Sequence, residues 1–92
     1  MQSEDLIILE LVRPEYPREA VEQGVIGHVE LIALVNESGT VDDVEFVISA
    51  GPLLDDASER AVRQCRFLPY QRNGRPQAVY ANFRFNFTLL GD

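Results

Sequence analysis

The sequence predicts an α+β domain in which two helices pack on one face of a three-stranded antiparallel sheet, made of a β-hairpin plus a C-terminal strand. Three observations carry this expectation. From Val79 to Leu89 apolar and polar residues alternate without interruption, the period of a strand with one buried face. The turn-forming cluster Asn36-Glu37-Ser38-Gly39-Thr40 separates two shorter alternating runs, which reads as a hairpin. Between hairpin and final strand, Leu54, Ala57, Ala61, Val62 and Cys65 recur at helical spacing.

Taken in order, Leu6 to Val12 is an apolar, partly β-branched arm that runs into Arg13-Pro14-Glu15-Tyr16-Pro17, where two prolines enforce an extended path. Pro17 suits the first turn of a helix, Arg18 to Gln23 contains good helix formers, and Gly24 supplies a stop. The first hairpin strand, His28 to Val35, sets Val29, Leu31, Ala33 and Val35 against the mixed face His28, Glu30, Ile32 and Leu34. The second, Val41 to Ser49, sets Val44, Phe46 and Ile48 inward and Asp43, Glu45 and Val47 outward. Gly51-Pro52 opens the second helix, whose acids come early and bases late, as its macrodipole favours. Pro69 closes that unit and Arg72-Asn73-Gly74-Arg75-Pro76 is a polar turn. In the final strand Val79, Ala81, Phe83, Phe85, Phe87 and Leu89 form the core face, so Phe85→Asp is expected to unfold the chain by burying a charge.

The 92 residues have room for one domain and one core. A hydrophobic fraction of 46% and a charged fraction of 25% support folding without a staple. Fifteen acids against eight bases give a formal charge of -7, which argues against nucleic acid or an anionic lipid surface as partner. Met1 to Asp5 lacks the features of a secretory signal, and no run reaches the roughly 20 apolar residues of a spanning helix.

Catalytic chemistry finds little to build on. His28 is the single histidine and Cys65 the single cysteine, so no disulfide, triad or Cys-based zinc site is expected. His28 reads as a polar strand-end residue and Cys65 as a buried, inert thiol. Asp42-Asp43 fits a hairpin and Asp55-Asp56 a helix start, because neighbouring side chains on a regular element diverge. No catalytic residue, cofactor or metal is expected, and the chain is expected not to be an enzyme. What remains is backbone chemistry: if the final strand is an edge, its free N–H and C=O groups are either a template for an added strand or an edge protected by its polar residues, and periodicity alone leaves both open.

Pro14-Glu15-Tyr16-Pro17, Ala20, Gly24 and Gly27 before a strand resemble the opening of the TonB C-terminal domain family. The likeness continues through Ser38-Gly39-Thr40-Val41, Val44, Ser49-Ala50-Gly51, Leu54-Asp55, Ala57, Ala61-Val62, Phe67 with Pro69, Gly74 with Pro76, and Phe83-Arg84-Phe85, covering about Arg13 to Leu89. It implies the α+β fold above, with residues 1–12 an arm or linker remnant and 13–90 the domain. It also implies a periplasmic module of an energy transducer, driven by an inner-membrane ExbB-ExbD complex through an N-terminal anchor that this chain does not include.

The implied partner is an outer-membrane TonB-dependent transporter, whose Ton box adds as a strand beside Val79, Tyr80, Ala81, Asn82, Phe83, Arg84, Phe85, Asn86 and Phe87 and passes near Arg13, Pro14 and Glu15. Arg13 stands where enteric members carry a glutamine. Strand-exchanged homodimers are a further implication. The alternative is a TonB-like interaction module of a cell-envelope sensor or scaffold that transmits no energy.

Overall fold

A computed structural model describes residues 6–89. The expectations for Met1 to Asp5 and for residue 90 lie outside the described residues. The chain runs β1 (Ile8–Glu10), α1 (Arg18–Gln23), β2 (Gly27–Val35), β3 (Val41–Ile48), α2 (Pro52–Gln64), β4 (Arg66–Phe67), β5 (Gln71–Arg72), β6 (Arg75–Pro76) and β7 (Val79–Phe87). The central sheet has the order β3-β2-β7, with β2 antiparallel to both neighbours. The α+β architecture is therefore the one expected from periodicity.

Each helix begins and ends on a local signal. Pro17 precedes α1 with φ already at -61°, and Gly24 ends it in the left-handed region at φ 69°, its N–H meeting the Ala20 and Val21 carbonyls. Pro52 occupies the first turn of α2, where no backbone donor is lost. The Asp55 carboxylate reaches back over that end, accepting the Ala50 N–H at 2.9 Å and the Ser49 hydroxyl. α2 buries Leu54, Ser58, Ala61 and Val62. Ser58 is the polar exception, and its hydroxyl donates to the Leu54 carbonyl at 2.8 Å, which offsets its desolvation.

The core has two lobes. Ala20, Val29, Leu31, Ala33, Leu54, Val62 and Phe87 form the first, where the Tyr16 ring meets Phe87 edge-on at 5.3 Å. Val35, Cys65, Phe67, Val79 and Ala81 form the second. Both contain the inner-face residues of β2 and β7, as the alternation predicts. The Tyr16 hydroxyl donates to the Val25 carbonyl, which fixes the Tyr-Pro step to the chain beyond α1.

Three features differ from expectation. Ile48, assigned inward, is 38% exposed and sits opposite Glu30. The cause is a β-bulge: Phe46 faces Leu31 and Ile48 faces Glu30, so Val47 is inserted and the following side chain changes face. Of the residues assigned to the core face of the final strand, Phe83 and Phe85 are only partly buried and Leu89, beyond the end of β7, is 41% exposed, while Phe87 is 4% exposed. Two small ribbons, β1 with β4 and β5 with β6, also lie outside the three-stranded sheet.

The β5–β6 ribbon is the polar turn drawn tight, with Asn73 and Gly74 both at positive φ, 55° and 78°. The β1–β4 ribbon ties down the apolar arm. Ile8 pairs with Phe67, the Leu68 N–H bonds the Ile7 carbonyl at 2.9 Å, and the Val12 N–H points at the Cys65 sulfur at 3.4 Å.

Candidate functional site

The strand order leaves β3 and β7 as the edges of the central sheet among the described residues. Which groups β7 offers at its edge follows from the hairpin. The Gly39 N–H bonds the Asn36 carbonyl at 2.9 Å, Gly39 takes φ 86°, and the Asn36 N–H bonds the Thr40 carbonyl at 2.8 Å. Asn36 therefore directs its amide toward β3. The inserted residues at both register shifts lie on β3, so β2 alternates unbroken, and its odd-numbered residues direct N–H and C=O toward β7.

Val35↔Val79, Ala33↔Ala81 and Leu31↔Phe83 are then the hydrogen-bonded pairs of an unshifted register that runs to Gly27↔Phe87. The even residues of β7, Tyr80, Asn82, Arg84 and Asn86, turn their backbone groups outward. Their side chains lie on the open face of the sheet and are exposed, whereas Val79, Ala81 and Phe87 are buried and Phe83 and Phe85 half-buried along the inner rim. The Phe83 and Phe85 rings lie 6.0 Å apart there.

Electrostatics at this edge are local. Arg84 sits opposite Glu30, and its Nε lies 3.2 Å from a Glu30 carboxylate oxygen. His28 Nε2 lies 3.6 Å from the same oxygen and has no hydrogen-bond partner. His28 is thus part of a strand-end polar group on the open face. Its role in the sequence reading, a polar residue near the start of a strand, matches its place as the second residue of β2.

Arg13 and Glu15 lie elsewhere. With Val12 and Pro17 they form one wall of a groove whose other wall is α2, through Leu53, Asp56, Ala57 and Arg60. The structure thus brings the nine β7 positions onto one edge but sets Arg13 and Glu15 against the helix layer. Pro14, between them, is half-buried.

The paired carboxylates are structural: Asp42 accepts from the Asn36 amide at 2.8 Å, Asp43 accepts the Val44 N–H at 3.0 Å, and Asp55 holds the start of α2. Cys65 is buried, 1% exposed, between α2 and the arm. Among the described residues no group of three or more His, Cys, Asp or Glu is arranged to hold a metal ion, and no helix is long and apolar enough to cross a membrane.

Sequence reasoning missed one feature of the candidate site, the difference between the two edges. β3 is interrupted by bulges at Asp42 and Val47 and carries Asp42, Asp43 and Glu45, whereas β7 is regular and carries no carboxylate. The clustered acids were visible in the sequence, but the bulges leave no signal in its alternation.

A small α+β domain with one regular sheet edge left unpaired among the described residues has the architecture shared by the class of modules that pair through their backbone. Comparison with known proteins supplies the family. The pattern of the Gram-negative bacterial TonB protein C-terminal matches residues 12–89, and the chain belongs to that family. It is 28% identical over 90 residues to Protein TonB of Pseudomonas aeruginosa, an alignment covering 97% of this chain and 26% of that protein. The chain thus spans about a quarter of that relative's length. It also superimposes on the solution NMR structure of the Pseudomonas aeruginosa TonB C-terminal domain with a TM-score of 0.80 and 26% identity, covering 100% of this chain and 94% of that one.

Proposed function

We propose that this chain is the periplasmic, partner-binding C-terminal domain of a TonB-type energy transducer. It takes the Ton box of an outer-membrane TonB-dependent transporter as an added strand along β7 and performs no bond chemistry. The observation that carries the reading is the free edge of β7: Tyr80, Asn82, Arg84 and Asn86 direct consecutive outward pairs of N–H and C=O groups along an unshifted strand. Family membership supports the same reading.

In the full-length protein an N-terminal anchor would join the domain to an ExbB-ExbD complex, and the strand contact would carry work derived from the proton gradient. A row of backbone bonds suits that task, because parting the strands along their length loads several bonds together even where equilibrium affinity is modest. Arg13, Pro14 and Glu15 take a flanking part of the partner beyond the added strand. The same free edge supports pairing between two copies as a strand-exchanged dimer.

The test is an NMR titration of the isotope-labelled domain with a Ton-box peptide from a transporter of the same organism. Amide shifts concentrated on Tyr80, Asn82, Arg84 and Asn86 are expected, because those N–H groups gain acceptors. Cognate peptides that leave β7 unmoved would overturn strand addition and favour an interaction module that transmits no energy.

A further inference from the structure

We propose that Arg84 is a specificity determinant of the β7 edge, selecting strands that place a carboxylate between two apolar residues. The inference rests on the strand-addition reading above and adds to it the side-chain chemistry of the strand taken.

The geometry fixes which side chains meet. Arg84 has its backbone groups outward, so in an added antiparallel strand the residue directly across from it is hydrogen-bonded to it and shares its face, with Cβ atoms about 5 Å apart. In a parallel addition the neighbouring residue also lies on that face. The residues flanking this position point to the opposite side, beside the half-buried rings of Phe83 and Phe85. The edge thus presents one cation between two apolar neighbours, and its complement is apolar-acidic-apolar.

Arg84 is positioned for this. Glu30 engages its Nε at 3.2 Å, while the side chain keeps 65% of its surface exposed. A guanidinium has five donors in a planar fork, so the Nη groups can meet a second carboxylate from the far side while Nε stays on Glu30. Arg84 is also the only charged residue of β7, so no other residue on that strand competes for an incoming charge. The chain as a whole carries -7 and repels acidic peptides at long range, so preference for a carboxylate at this one position is a local effect that opposes the global field.

The experiment uses three end-blocked heptapeptides, Val-Thr-Val-Xaa-Val-Thr-Val with Xaa as Asp, Asn or Lys, titrated into the labelled domain at low salt. All three are expected to move the β7 amides, with affinity in the order Asp, Asn, Lys and about two- to five-fold between the extremes, the range of a directly opposed charge pair. Arg84→Glu is expected to reverse the order and Arg84→Gln to abolish it, each with a dispersed, folded spectrum. Should Arg84→Glu not fold, the neutral Arg84→Gln carries the test alone. Equal affinities at β7 in the unaltered chain, or an order that survives Arg84→Gln, would overturn the proposal while leaving strand addition intact. Peptides that never move β7 would overturn both.

Discussion

The two edges of the central sheet are made from strands of nearly equal length, yet only one is regular from end to end. β3 pairs with β2 through two register shifts, at Asp42 and Val47, and each inserted residue breaks the row of backbone groups a visiting strand would need. One of its carbonyls, that of Asp42, already receives Arg63 Nη1 from α2 at 3.4 Å. Its exposed side chains include Asp42, Asp43 and Glu45. β7 pairs without a shift, carries two asparagines on its outer face, and has a single charged residue. Bulges and clustered charge are the ordinary means of blunting an edge, and here they are confined to one side. The domain leaves unprotected the edge whose inner rim is aromatic.

The largest effect that separates the edges is on folding. Phe87→Asp places a carboxylate against Tyr16 in the first core lobe and is expected to cost ~3 kcal/mol or more, enough to leave much of a marginal domain unfolded. Ile48→Asp, the same charge on β3 but beyond the Val47 bulge, is expected to stay within about 0.5 kcal/mol. Urea unfolding of the two variants checks the pair. A strongly destabilised Ile48→Asp would mean that the side chain faces the core after all.

Next in size is a proline pair on β7. Ala81→Pro removes an N–H that bonds β2 and is expected to cost ~3 kcal/mol, without the confusion of losing a large side chain. Asn82→Pro removes an N–H at the free edge, so the domain should stay folded but lose most strand binding, read as loss of peptide-induced shifts at Arg84 and Asn86. If both variants unfold, or both bind, the assignment of outward amides to even residues is wrong.

Neutralising β3 asks which of its two defences dominates. Asp43→Asn with Glu45→Thr removes two carboxylates and leaves both bulges. We expect peptide titration to leave the β3 amides unmoved, because an interrupted register offers too few consecutive bonds whatever its charge. New shifts on Val44 and Phe46 would show that charge alone guards this edge.

How much of this was readable in the sequence depends on whether a feature is local. The hairpin, both helices and the final strand are written in periodicity and in Pro17, Gly24, Gly39 and Pro52, so they are legible one segment at a time. The order β3-β2-β7 is not, because alternation says which face of a strand is buried and nothing about which strand lies in the middle. The Val47 bulge is equally silent: Val44, Phe46 and Ile48 alternate without a break, and only pairing with β2 shows that Ile48 has changed face. The β1–β4 ribbon joins residues more than fifty positions apart, beyond any local pattern. Phe85 read as core for the same reason, since its position on the inner face is periodic but its place on an edge strand is topological.

The smallest expected effect concerns Arg13. The family resemblance implies a partner contact there, yet Arg13 lines a groove against α2 while Tyr80, Asn82, Arg84 and Asn86 lie on the opposite, open side of the sheet. We expect a strand lying along β7 to reach Arg13 only with residues that continue past the sheet. Arg13→Ala should leave stability within about 0.5 kcal/mol, and should weaken a long cognate peptide less than about threefold, the magnitude of one exposed charge contact. Truncating the peptide to its strand-forming core should remove even that difference. If Arg13→Ala instead weakened the short peptide as much as Asn82→Pro does, the groove and the edge would be one continuous site, and the contrast between the edges would not by itself explain where the partner binds.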